Sequence, residues 1–449
     1  MRLFLRASVA AMLTCASATV AYADGTILFT RPVNGFYNGT RMPLGSGLFT
    51  IEDSGTQLRQ LTPLAPGSYS MPSGVAYLAG PANNLLTGYW PTRNFSPDGR
   101  SIQYFAGRSS NPTSGGPYDG KYRVMDRQTG LSKALFPGHN DNAPPGVGYL
   151  AWGPEGSNEI AYTDSTSEIP VTTRCVYLMH PDGSGRHRLW CAPAEVQTSG
   201  GPTPTLAVES LRWAGNGKSL LAYVAWGWPI GSQPGIGGSS YASLYQIDVR
   251  TGAAREVASL LSDPPSGDVS YDGTKVLYQQ YDLVHCGDFN YFRYQSVDLC
   301  VKDMNTGKVT DLFPQNVWEN QLSRSWWSDY WYAVALLSPD GSKVAFTMPT
   351  TDGAEGALYT IDTDGTHLRQ VTPEDPHPPA GVHIAWIPAA WSPDGKQILV
   401  NRTMTPASSR DQTLPSEVHI IALSDGRDWR VTDGYAIDWL KPPRPGMIK

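Results

Sequence analysis

Hydrophobic and polar residues alternate in short runs along most of this chain. SIQYFA from Ser101, NEIAYT from Asn158, KSLLAYV from Lys218, TKVLYQ from Thr274, KVAFTM from Lys343 and KQILVN from Lys396 all have this form. A period of two is the signature of a strand, whose successive side chains point to opposite faces. Each run follows a tight-turn string. The string is SPDG at Ser96–Gly99, Ser338–Gly341 and Ser392–Gly395, and it recurs as GPEG from Gly153, AGNG from Ala214 and SYDG from Ser270. A second pair of strands around a turn comes next, as in YRVMDRQTGLSKALF from Tyr122, LYQIDVRTGAAREVA from Leu244 and LYTIDTDGTHLRQVT from Leu358. Both faces of these strands carry apolar residues, as expected of a sheet packed between two neighbours.

Six such units are complete in the sequence, and a seventh is split between its two ends. TILFTR from Thr26 and GLFTIEDSGTQLRQLTP from Gly47 read as later strands of a unit with no innermost strand before them. YAIDWL, from Tyr435 to Leu440, supplies the missing strand, because Trp439 falls where Trp152, Trp213 and Trp391 do. The expectation is an all-β, seven-bladed β-propeller of four-stranded antiparallel blades, its ring closed by the C-terminal strand. Closure of that kind leaves no sheet edge exposed. Residues 24–449 are expected to form this single domain.

The repeats resemble those of the TolB and WD-like propeller family, in which an aromatic-SPDG-strand unit precedes a Y-x-M/I-D-x-x-G hairpin and an RQLT ending. Arg59-Gln60-Leu61-Thr62 and Arg369-Gln370-Val371-Thr372 match that ending. The resemblance covers nearly all of the chain and implies the fold. It implies no single function, since such propellers serve as scaffolds, ligand binders and enzymes. No counterpart of TolB's N-terminal α/β domain is expected between the leader and the first blade, which speaks against a Tol-Pal role.

Composition adds the compartment. Arg2 and Arg6, the apolar run from Leu3 to Val20 and Ala21-Tyr22-Ala23 make residues 1–23 a signal peptide, and the protein periplasmic or secreted. Losing those two arginines takes the formal charge from -6 to -8. An acidic chain without a basic run argues against nucleic acid as partner, and no later stretch is apolar enough for stable membrane insertion. A monomer is expected. The 46 glycines and 37 prolines suit a turn-rich all-β chain. Beyond the leader, Cys175, Cys191, Cys286 and Cys300 form two close pairs. Local disulfides Cys175–Cys191 and Cys286–Cys300 are the reading that an oxidising compartment favours over a metal site, which usually has tighter spacing.

Candidate chemistry lies in the loops opposite the SPDG turns. They are long and aromatic, and Trp226, Trp228, Tyr291, Trp326, Trp327 and Trp331 suggest a platform for a glycan or a protein ligand. Catalysis is not the first expectation: no G-x-S-x-G, P-loop or H-E-x-x-H is present, and no cofactor or metal is called for. The rival reading is a propeller polysaccharide lyase or glycosidase, with His139, His285, His377, His383, Tyr281 and Arg324 as its pool. Polar residues of the innermost strands, Asn94, Arg212, Asp268 and Asp438, are expected to line a central pore.

Overall fold

The computed structural model describes residues 25–37, 40–65, 68–72, 94–108, 121–136, 150–154, 157–165, 174–193, 205–227, 240–261, 267–281, 297–312, 334–349, 355–372, 382–406 and 416–440. Strands β1 (Thr26–Tyr37), β2 (Thr40–Glu52), β3 (Arg59–Gln60), β4 (Ser68–Pro72), β5 (Ser101–Arg108), β6 (Lys121–Asp126) and β7 (Ser132–Ala134) come first. Next are β8 (Leu150–Trp152), β9 (Ile160–Ser165), β10 (Arg174–Met179) and β11 (His187–Cys191), then β12 (Thr205–Trp213), β13 (Ser219–Gly227), β14 (Ser240–Asp248) and β15 (Ala254–Leu261). They are followed by β16 (Gly267–Val269), β17 (Lys275–Tyr281), β18 (Val297–Asp303) and β19 (Val309–Asp311), and by β20 (Ala335–Leu337), β21 (Lys343–Pro349), β22 (Glu355–Asp362) and β23 (Arg369–Gln370). The last are β24 (Val382–Trp391), β25 (Gln397–Pro406), β26 (Glu417–Ala422), β27 (Asp428–Asp433) and β28 (Tyr435–Leu440).

The molecule is an all-β propeller, but the expected count of seven blades is corrected. Five blades are four-stranded antiparallel meanders of consecutive strands: β8–β11, β12–β15, β16–β19, β20–β23 and β24–β27. The remaining strands make one eight-stranded sheet, ordered β28-β1-β2-β4-β5-β6-β7 with β3 on β2, and pairing of β15 with β17 and of β22 with β24 likewise joins β12–β19 and β20–β27 into eight-stranded sheets. The reason lies beside β5. There β4 covers one end, from Ser68↔Arg108 to Pro72↔Tyr104, and a single Phe95↔Ile102 bridge covers the other. The two pieces, Ser68–Pro72 and Phe95, lie 23 residues apart in the sequence, so the strand paired with β5 before the SPDG turn is not one continuous stretch of the chain. Pairing is not purely antiparallel either, since β2 meets β4 and β22 meets β24 in parallel.

Closure by the C-terminal strand is present. β28 pairs with β1 from Thr26↔Leu440 to Thr30↔Tyr435. Ile437 and Trp439 are buried, and Trp439 packs with Ile27, Phe29, Phe49, Leu399 and Ile420. The predicted Cys175–Cys191 disulfide is also present, joining residues directly opposite in β10 and β11. Cys300 is buried on β18, and Cys286 lies outside the described residues.

The turns explain why SPDG recurs. At Ser96 the hydroxyl donates to Asp98 Oδ1 at 2.5 Å and accepts from Ser101 N at 2.8 Å, while Arg100 N donates to the same carboxylate oxygen at 3.0 Å. The same set of bonds closes the turns at Ser270 and Ser338, and Ser392 and Asp394 keep its pattern. Gly99 follows at φ +66°, where a Cβ would strike Leu440 at 2.1 Å. Local polar chemistry thus consumes the Asp side chains of this face.

Candidate functional site

The inner strands place the polar residues expected at a pore, but use two of them as joints between neighbouring sheets. Asp268 on β16 is 1% exposed. Its Oδ1 accepts from Val269 N at 2.6 Å and meets Arg212 Nε at 2.5 Å, while Oδ2 accepts from Leu337 N on β20 at 2.8 Å. Burial pushes this carboxyl up, and the Arg212 guanidinium and the two amides pull the other way. Asp438 repeats the geometry on β28: Oδ1 accepts from Trp439 N, and Oδ2 from Asn94 N at 2.8 Å and Phe95 N at 3.1 Å. Asn94 is fully buried. Asn94 and Asp268 therefore do not line an open channel, and Asp268 and Asp438 tie each inner strand to the next. Arg212, about a fifth exposed, is the counter-charge to Asp268.

Other buried polar groups do the same task with neutral atoms. Trp213 Nε1 donates to Ala151 O at 3.0 Å, and Trp391 Nε1 donates to Leu336 O at 3.1 Å. Asn401 donates to Ala436 O and accepts from Ala436 N. Trp213 and Trp391, which align in the repeats, are thus clasps between neighbours as well as apolar mass.

The loop face is described only through the strand ends that lead to it. Tyr281 ends β17 opposite Val297, His383 stands opposite Thr405 at the start of β24, and Trp226 stands opposite Leu206 and Tyr241 near the end of β13. All three belong to strand ends remote from the SPDG turns. His139, His285, His377, Arg324, Trp228, Tyr291, Trp326, Trp327 and Trp331 lie outside the described residues. Among the described residues, no group of three or more His, Cys, Asp or Glu is arranged to hold a metal ion.

One site was not anticipated. A cavity of about 520 Å³ opens on the short-turn face of the eight-stranded sheet, between the β2–β3 turn and the turns that flank β5 and β6. Ile51 and Leu61 line it with Thr26, Thr50, Gln57 and Gln128, and three arginines converge there: Arg59, Arg100 and Arg127. Arg59 donates to the carbonyls of Arg127 and Gln128. Arg127 donates to Gly99 O at 2.7 Å and Thr26 Oγ1 at 3.1 Å, with its guanidinium 5.1 Å above the Phe95 ring. Arg100 pairs with Asp126 at 3.1 Å. The sequence held a signal for this: Arg127 follows the turn-opening residue where four other hairpins carry the uncharged Val249, Met304, Thr363 and Leu423.

No family model matches the sequence, and no curated protein is significantly similar to it. Solved structures are. The chain is similar to an oligogalacturonate lyase in complex with manganese, at 13% identity over 92% of this chain and 86% of that one, with a TM-score of 0.50. It is similar also to an oligogalacturonate lyase from Vibrio parahaemolyticus, at 11% identity over 92% and 87%, with a TM-score of 0.51. A putative TolB from Agrobacterium tumefaciens matches 70% of this chain and 88% of its own at 14% identity, with a TM-score of 0.39. What the two lyase likenesses show is the fold alone, a β-propeller.

Proposed function

We propose that the protein is an exported β-propeller that binds a protein or glycan ligand, without catalysis, on the face opposite its SPDG turns. One observation carries the reading: the two faces are built differently. On one, turns of a few residues are closed by their own Ser, Asp and Thr hydrogen bonds. On the other, the strands lead into the segments 109–120, 228–239, 282–296 and 313–333, which hold most of the aromatic residues singled out above. Loops carried on a rigid scaffold are where propellers and barrels place recognition. Export is supported by the Cys175–Cys191 disulfide, which persists in oxidising compartments.

A second reading, a lyase acting on acidic polysaccharide, draws on Tyr281 and His383, which two different blades bring to that same face. A glycan array with the whole protein, run beside an assay for unsaturated uronate product, separates the two. Saturable binding with no product, lost in a Trp228→Ala, Trp327→Ala variant of unchanged melting temperature, supports binding. Product formation that falls in His383→Ala overturns it in favour of the lyase.

A further inference from the structure

The short-turn face carries a cavity for which the binding reading has no use, and its origin can be traced by comparing hairpins. In five of them the residue after the turn-opening position donates its N–H to the carbonyl that follows the neighbouring turn: Val249 to Lys218, Met304 to Thr274, Thr363 to Ser342, Leu423 to Lys396 and Arg127 to Arg100, the last being the one that carries a charge. Val249, Met304 and Leu423 then lay an apolar side chain against a core cluster. At Arg127 a guanidinium stands in that place, and the space beside it is open.

Arg127, partly buried, and Arg59, on the exposed rim, are both held by neutral acceptors. Arg59 and Arg127 donate to carbonyl and hydroxyl oxygens, and among the described residues neither forms an ion pair with a carboxylate. Partial burial and the nearby Arg59 charge both press the Arg127 pKa downward, which marks a cation short of a counter-charge. Each guanidinium has five N–H donors, and bonds to the described residues use two of them, so N–H groups are left for a ligand. The acids on the lining are Glu52 and Asp98, and Asp98 is already occupied by Ser96 and Arg100 N.

We infer that this cavity is a binding site for a small polycarboxylate, whose carboxylates are held by Arg127 and Arg59 with Gln57 and Gln128 at the rim. Planar guanidinium forks match carboxylates in two-point geometry. The volume is that of a small-molecule site, on the order of 300–1,000 Å³. The site is independent of any ligand on the opposite face.

The test titrates citrate into the full-length protein at constant ionic strength, followed by calorimetry. Saturable binding to the wild type is expected. Arg127→Leu, which restores the apolar residue of the matched hairpins, should keep the fold and weaken citrate by at least about tenfold. Arg369→Gln, which alters the equivalent of Arg59 in the β20–β23 blade, should bind as the wild type does. Should Arg127→Leu fail to fold, Arg59→Gln on the exposed rim carries the test with the same expected loss. The inference is overturned if the wild type shows no saturable binding, if the foldable variant of this pair binds citrate undiminished, or if Arg369→Gln loses it equally.

Discussion

Two junctions of this propeller share one design and differ in a single plug. In the first, the β2–β3 hairpin meets the β5–β7 strands. In the second, the β22–β23 hairpin meets the β24–β27 blade. Leu48 N donates to Thr62 Oγ1 at 2.8 Å and Gln60 Nε2 to Thr62 O at 2.9 Å. Their counterparts are Leu358 N to Thr372 Oγ1 at 3.0 Å and Gln370 Nε2 to Thr372 O at 3.0 Å. Arg59 clasps the carbonyl of Arg127 and Arg369 that of Leu423. What differs is the clasped residue. Leu423 packs on Trp386, Ile398 and their neighbours, whereas a cavity opens beside Arg127. The RQLT-type ending is therefore a joint, and the residue it grips is apolar in one junction and charged in the other.

The largest effect expected is on closure, which distinguishes the first junction from the second. The first sheet depends on a strand from the far end of the chain, while the second is continuous. Deleting residues 435–449 removes β28 and with it the buried Tyr435, Ala436, Ile437 and Trp439. A buried large apolar side chain contributes about 1.5–3 kcal/mol. Three such side chains rival a whole domain's margin of about 5–15 kcal/mol, and a sheet edge is exposed besides. Soluble yield and circular dichroism should show loss of the fold, whereas a well-folded monomer from this deletion would refute closure.

A smaller effect is expected at Asp268, which ties β16 to β20. Asp268→Ala leaves Arg212 without its partner and Leu337 N without its acceptor, a loss of about 3–5 kcal/mol for a broken buried pair. Chemical denaturation measures it. Next come Thr62→Ala and Thr372→Ala, which each orphan one buried leucine N–H at about 1–3 kcal/mol. Equal losses at the two positions would confirm that the joints are equivalent. A loss at only one would mean that the plug, and not the joint, carries the stability.

Much of the architecture was legible because it is local. Turn chemistry at Ser96, Ser338 and Ser392, strand alternation, the Cys175–Cys191 hairpin and the Trp439 match are written in short stretches of sequence. The blade count was not, because whether a strand is unbroken depends on what lies across it. The repeat before Ser96 looked complete, and only the pairing shows β5 covered by β4 and by a lone bridge at Phe95. The polar inner-strand residues were found, but the amides that Asp268 and Asp438 hold were not. Nothing near Asp268 in sequence shows that Leu337, 69 residues on, donates to it. The arginine cavity needed the hairpins compared position by position, with Arg127 seen as the charged exception among Val249, Met304, Thr363 and Leu423.

The smallest effect separates two hairpin turns, one from each junction, by acid response. Asp126 and Asp362 hold equivalent turn positions, and both carboxyls lie below their ordinary value. Asp126 falls to about 2 because Thr129 N, the Arg100 guanidinium, the Thr129 hydroxyl and Gln128 N all donate to it. For Asp362 the causes are the Lys343 ammonium and then His367. A carboxyl lowered in the folded state adds stability above its unfolded pKa of about 4 and loses it as pH falls through the folded value. The melting temperature should therefore drop between about pH 4 and pH 2, and Asp126→Asn and Asp362→Asn should each flatten that drop while lowering the midpoint slightly at neutral pH. Salt sharpens the comparison, because bonds from backbone amides and a hydroxyl are screened less than an exposed ion pair. In high salt Asp362→Asn should lose most of its difference from the wild type, and Asp126→Asn should keep more of its own. If both respond to salt alike, the amide and hydroxyl bonds at Asp126 are not what lowers it, and its ion pair with Arg100 is.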